Sequence, residues 1–101
     1  MASYTAIADW QDVEAGFVVG DTIRRTKDEQ SPSGWAYSLH LGEVGGATVL
    51  RYDNAHEPTK GHERHTGGDV QTIEFPGILT LYDRFKREAD ELSPVSWDWP
   101  E

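Results

Sequence analysis

The apolar residues of this chain change period once, and that change sets the fold class. From Gly77 onward Ile78, Leu81, Tyr82, Phe85, Ala89 and Leu92 recur at i, i+3, i+4, i+7, i+11 and i+14. This spacing draws one apolar stripe along a helix. Pro76 stands beside the first turn, where a missing N–H does no harm, and Ser93-Pro94 ends the element. Asp83–Arg87, Arg84–Glu88 and Arg87–Glu91 place opposite charges four apart on the other face. Before Gly77 the pattern has period 2. Trp35, Tyr37, Leu39 and Leu41 alternate with Ala36, Ser38 and His40, as in a strand with one face in a core.

Taken in order, Met1 to Ser3 reads as a frayed terminus, and Tyr4 to Trp10 as a first strand. Val13 to Arg25 reads as a second, with bends or bulges at Gly16 and at Gly20-Asp21. Thr26 to Gly34 is a polar loop containing Pro and Gly. Gly42 to Gly46 joins Trp35–Leu41 and Ala47–Tyr52 into a hairpin. Asp69 to Phe75 makes a fifth strand after a long loop. Strands followed by one helix predict an α+β domain over 1–101, an antiparallel sheet of about five strands with the C-terminal amphipathic helix across one face. Residues 93–101 form a tail in which Trp97 and Trp99, two apart, either cap the sheet or meet a partner.

Length and composition narrow the rest. A chain of 101 residues has room for one modest core. There is no cysteine, hence no disulfide framework and no thiolate zinc site. No stretch approaches the roughly 20 apolar residues of a membrane span, and no signal peptide is visible, so the expectation is a cytoplasmic protein without a membrane partner. The 18 acids against 9 Lys and Arg give a net charge of −9, and only three of those cations are lysine. Such a surface suits a high-salt cytoplasm, where the Debye length shrinks to about 3 Å at 1 M. It argues against non-specific coating of nucleic acid, which runs on cationic surface.

The chemistry gathers between Arg51 and Gly68, a stretch read as a loop between strands. It holds His56, His62 and His65, the cations Arg51, Lys60 and Arg64, and the run Tyr52-Asp53-Asn54. Histidine is the side chain that exchanges protons near neutral pH, so two of them can act as general base and general acid. With a cation to hold the charge gathering on phosphate, that is what metal-independent RNA cleavage requires. Asp53 is suited to orient a histidine, and Tyr52 to stack on a base. The same groups fit other readings. His56, His62, His65 and Asp53 are candidate divalent-metal ligands, although the spacing matches no tight zinc pattern. Arg51-x4-His56 has the spacing of the HEPN ribonuclease motif, which needs a helix where this stretch reads as a strand end. A solvated loop with an Asx turn at Asp53-Asn54 is the bland alternative.

The order of Trp35–Leu41, a glycine turn, Val49-Leu50-Arg51-Tyr52-Asp53-Asn54, Lys60-Gly61-His62-Glu63-Arg64-His65 and an amphipathic helix resembles the TumE family, over residues 35–92. These are small proteins known as toxins of toxin–antitoxin pairs, for which ribonuclease activity has been proposed. The family's Arg-Tyr-Asp-Asn falls on Arg51, Tyr52, Asp53 and Asn54, its Lys-Gly on Lys60 and Gly61, and its closing histidine on His65. The family usually spaces its histidines His-x-His, whereas here they are His62-x-x-His65. The segment Ala55 to Thr59 suggests a subgroup of acidic, haloarchaeal relatives.

The resemblance implies a toxin or regulatory ribonuclease acting on single-stranded RNA, with no cofactor and no metal. His65 would be acid or base, His62 or His56 its partner, with Arg51 and Asp53 completing the catalytic set. Arg64, Lys60, Tyr52 and Asn54 would bind substrate, and a small antitoxin would be the protein partner. The alternatives are a non-enzymatic binding module, as a homodimer or with an antitoxin, and a His/Asp metal-binding protein.

Overall fold

Strands that follow one another along the chain also lie side by side in space. The computed structural model describes residues 4–100; Met1 to Ser3, read as frayed, lie outside the described residues. The strands are β1 (Tyr4–Glu14), β2 (Phe17–Thr26), β3 (Trp35–Glu43), β4 (Thr48–Asp53), β5 (His62–Thr66) and β6 (Asp69–Ile73). All neighbours are antiparallel, in the order β1-β2-β3-β4-β5-β6. A one-turn helix α1 (Glu57–Lys60) joins β4 to β5, and α2 (Ile78–Leu92) follows β6.

The α+β class, the hairpin around Gly42–Gly46 and the C-terminal helix agree with the reading of the sequence. The strand count does not: there are six rather than five. The long loop expected from Arg51 to Gly68 instead contains α1 and β5. β5 reads His62-Glu63-Arg64-His65-Thr66 and has no apolar residue to betray its period. Its turn did carry a signal, since Gly67-Gly68 is a two-residue connection between Thr66 and Asp69. The bend expected at Gly20-Asp21 is absent, and both lie within β2. The real turn is Ala15-Gly16, both at positive φ (53° and 82°), as a tight two-residue hairpin demands.

Register assigns the faces, because residues paired across strands point to the same side. Tyr52 pairs with Leu39 and with Arg64, and this side faces α2. Val19, Ile23, Tyr37, Leu39, Leu41, Leu50 and Tyr52 form the core there with Leu81, Phe85 and Ala89 of α2. Ile78 and Tyr82 pack at its margin, as do Trp35, Val49 and Ile73. Leu92, expected in the same stripe, is exposed. The tail closes the far side of this core. Trp97 is buried and its indole N–H donates to Ser93 Oγ at 3.1 Å, while Trp99 packs on Trp10 and Phe85 at 5.4 and 5.8 Å between ring centres. The two tryptophans thus cover the protein's own core. Among the described residues no helix covers the opposite face of the sheet, and none is long and apolar enough to cross a membrane.

Candidate functional site

The uncovered face carries a row of charge across the middle strands. Arg51 on β4 pairs with His40 on β3 to one side and with His65 on β5 to the other. In the next row Asp53 pairs with Ser38 and with Glu63. Two histidines therefore flank one arginine, with two carboxylates alongside.

Asp53 organises this patch. Its side chain is only 6% exposed, and its Oδ2 accepts from Arg51 Nε at 2.8 Å. Oδ1 accepts from the Ala55 N–H at 3.2 Å, the Asx turn that carries the chain out of β4. His65 Nε2 lies 3.2 Å from Asp53 Oδ2 and 3.9 Å from Glu63 Oε1. That nitrogen is buried, yet no hydrogen bond is formed, because the Asp53 contact is short in distance but out of line. His40 Nε2 meets Thr48 Oγ1 at 3.1 Å. Burial, aided by the nearby Arg51 charge, pushes the His40 imidazole below its ordinary pKa. Its ring lies over Gly42, where a Cβ would come within 2.9 Å of Cε1. A glycine two residues further along the strand thus leaves room for the imidazole.

His62 is on the other side of β5, since residues three apart on a strand face opposite ways. It is buried against Phe75, with ring centres 4.4 Å apart and planes within 10°. Its Nδ1 shares a 2.7 Å hydrogen bond with the Tyr37 hydroxyl, and its Nε2 lies 3.0 Å from Glu57 Oε1. A neutral ring with its proton on Nε2 suits both neighbours. Burial holds the His62 pKa below its ordinary value, with Glu57 opposing. Burial works against the Glu57 charge too. Hydrogen bonds from the Ser33 hydroxyl and N–H (2.6 and 2.7 Å) and from Asn54 Nδ2 (2.9 Å) outweigh it and hold the carboxyl low.

Asn54 belongs to this internal network. Its Oδ1 accepts from the Tyr37 N–H at 3.0 Å and its Nδ2 also donates to the Trp35 carbonyl, so the amide extends the β3–β4 pairing. Tyr52 is fully buried beneath α2 and has no open ring face for a base. Its hydroxyl donates to Glu88 and accepts from Arg64 Nε at 3.0 Å, and Arg64 also pairs with Glu88. Burial, with Glu88 beside it, raises the Tyr52 phenol to about 12. His56 is exposed at the start of α1 and Lys60 at its end.

Of the nine residues singled out in the sequence, the open face therefore gathers Arg51, Asp53 and His65. His62, Tyr52, Asn54 and Arg64 serve the interior or its margin, and His56 and Lys60 stand apart. The partner that sequence reasoning missed is His40. A signal existed: in a clean period-2 strand it alternates against the apolar set, so it had to face away from the core. Glu63, within the same stretch, was given no role in the sequence reading either.

A sequence model of the family described as Toxin TumE matches residues 7–93. No curated protein and no solved structure matches the chain. The matched span reaches upstream of the resemblance at residues 35–92, taking in the β1–β2 hairpin, and it ends where α2 ends. It therefore contains β2 to β6, most of β1 and the helix that covers the other face. The chain belongs to the TumE toxin family.

Proposed function

We propose that the open face of the sheet is a metal-independent ribonuclease site acting on single-stranded RNA. The observation that carries this reading is the row His40–Arg51–His65. With strands about 4.8 Å apart, the outer two residues of such a row are separated by roughly 10 Å of backbone. A phosphodiester over Arg51 would then have an imidazole on either side. His40, held neutral at pH 7 by burial and the arginine, is the group to take the 2′-hydroxyl proton. Arg51 balances the charge that gathers on the phosphate as the 2′-oxygen attacks. His65 has carboxylates at 3.2 and 3.9 Å to balance a positive ring, and it protonates the departing 5′-oxygen. Its Nε2 faces Asp53, so Nδ1 is the nitrogen turned to substrate. The products are a 2′,3′-cyclic phosphate and a free 5′-hydroxyl.

Purified protein should cleave RNA in EDTA with a bell-shaped pH profile. His40→Ala and His65→Ala should each lower the rate about 10²–10⁴-fold, the usual cost of losing an acid–base group. In cells, induced wild type should arrest growth and degrade RNA where His65→Ala does not. Absence of cleavage by folded protein would overturn the reading. Family membership implies an antitoxin partner, and a second reading, a non-enzymatic module that meets it, has one observation in its favour. Ile7 and Leu79, 57% and 78% exposed, line one groove of about 620 Å³ between β1 and α2. Antitoxin capture lost in Leu79→Asp, with no RNA cleavage, would favour that reading.

A further inference from the structure

We infer that Asp53, Glu63 and His65 form a binding site for one divalent transition-metal ion, with zinc the best match. No step of the proposed RNA cleavage uses such an ion, and the site shares only Asp53 and His65 with that chemistry.

The first support is geometric. One donor atom from each of the three residues lies within 4.8 Å of the other two. Ligands about 2.0–2.2 Å from a tetrahedral zinc stand roughly 3.4 Å apart. His65 Nε2 is 3.2 Å from Asp53 Oδ2 and 3.9 Å from Glu63 Oε1, so the separations already straddle that value. Rigid neighbours supply them, since Asp53 and Glu63 are paired residues of adjacent strands and His65 is one pair along.

The second support is electrostatic. Like charges directly opposite one another in an antiparallel pair are destabilising, and Asp53 and Glu63 are such a pair. Arg51 meets Asp53 but is itself 42% exposed at the margin. A divalent ion between the carboxylates would offset their repulsion directly. The third is the unused valence of His65. Its Nε2 is buried and without a hydrogen bond, a condition that ordinarily costs free energy, and an unshared ring nitrogen this close to two carboxylates is what a metal takes up. One imidazole with two carboxylates suits zinc or manganese better than calcium or magnesium, which prefer all-oxygen shells. Three protein ligands leave a fourth position for water or a phosphate oxygen.

Binding is measured without RNA, by titrating metal-free protein with zinc against a chromophoric chelator. The wild type should bind one zinc per chain. Glu63→Gln and His65→Ala should each weaken binding by at least about tenfold, a lower bound set by what outer-shell losses cost. The exposed His56→Ala should leave it unchanged, and circular dichroism should show all variants folded. No binding by wild type, or binding indifferent to Glu63→Gln and His65→Ala, would overturn the inference. A cleavage arm separates the two proposals. Zinc should inhibit RNA cleavage by wild type over the range in which it binds, and Glu63→Gln should require more zinc for the same inhibition. Zinc binding with no cleavage under any condition would leave the site standing and remove the ribonuclease reading. Cleavage that zinc leaves untouched while it binds would place the ion elsewhere and overturn the site.

Discussion

His62 and His65 sit three residues apart on one short strand, and the protein uses them in opposite ways. His62 enters the side beneath α2, stacks on Phe75 and finds a polar neighbour for each ring nitrogen. His65 enters the open side, where its Nε2 faces two carboxylates and forms no hydrogen bond. The covered face satisfies most of its polar groups internally, Glu57 with Ser33, Asn54 and His62, and Glu88 with Arg64 and Tyr52, with Asp21 Oδ1 the exception among the described residues. The open face concentrates charge at partly satisfied positions. An interior that left groups in that state would lose stability, because a buried polar atom without a partner costs about 1–3 kcal/mol. The open face bears that cost at His65 Nε2 while keeping Arg51 and the rest of the imidazole partly exposed.

Breaking the covered face should produce the largest effects. Phe85→Ala, at a fully buried ring of α2, should lower the unfolding free energy by about 3–5 kcal/mol in urea titrations. Leu92→Ala, about two turns further along the same helix but exposed, should stay within about 0.5 kcal/mol. A Phe85 loss under about 1 kcal/mol would mean that α2 covers the sheet with another face.

The histidine pair gives the next contrast. His62→Ala leaves the Tyr37 hydroxyl and the Glu57 carboxylate without it, and should cost about 1–3 kcal/mol. His65→Ala should cost no more than about 0.5 kcal/mol while lowering the rate of the proposed RNA cleavage about 10²–10⁴-fold. The pH dependence has a definite sign. Because the folded pKa of His62 is lowered, its contribution is present above the ordinary histidine value and is lost as pH falls through the folded one. An acid limb that persists unchanged in His62→Ala would assign that loss to another group.

The smallest effect sharpens the comparison from the covered side. Asp21 is 1% exposed; Oδ2 accepts from the Tyr82 hydroxyl at 2.8 Å, and Oδ1 has no partner. Burial raises its pKa to about 6, against the opposing pull of that hydrogen bond and of Lys86. A raised carboxyl stabilises the fold below its unfolded value of 3.8, and that contribution is lost as pH rises through about 6. Asp21→Asn should therefore be more stable than wild type at pH 7, by on the order of 1 kcal/mol, with the gap closing at acid pH. Equal stabilities across the range would show that the carboxylate is hydrated in the folded protein.

The fold class was legible because apolar residues keep their period wherever a core needs them. α2 and β3 declare themselves this way, and so does the β3–β4 hairpin. β5 was invisible, since its covered side carries only His62 and Arg64, polar residues that pair with Glu57 and Glu88 while stacking on aromatic rings. A strand whose buried side is polar has no hydrophobic alternation to read. Leu92 was misplaced for the converse reason: its spacing fits the helical stripe, but at that end of the helix Ser93, not Leu92, is the buried neighbour of Ala89.

By itself the sequence determined that Arg51, Asp53 and His65 belong to one reactive stretch, because they are close along the chain. It determined as well that His40 faces away from the apolar side of its strand. Only the tertiary structure decided that His40 stands beside Arg51, that His62 is withdrawn into the covered side against Tyr37 and Phe75, and that Asp53 is opposed to Glu63. Those three outcomes depend on register and on which side of the sheet α2 covers. Strand period assigns each residue to one side or the other, but it is silent about the neighbour across the gap. That neighbour is settled by pairing between distant segments, where the whole buried face contributes at once.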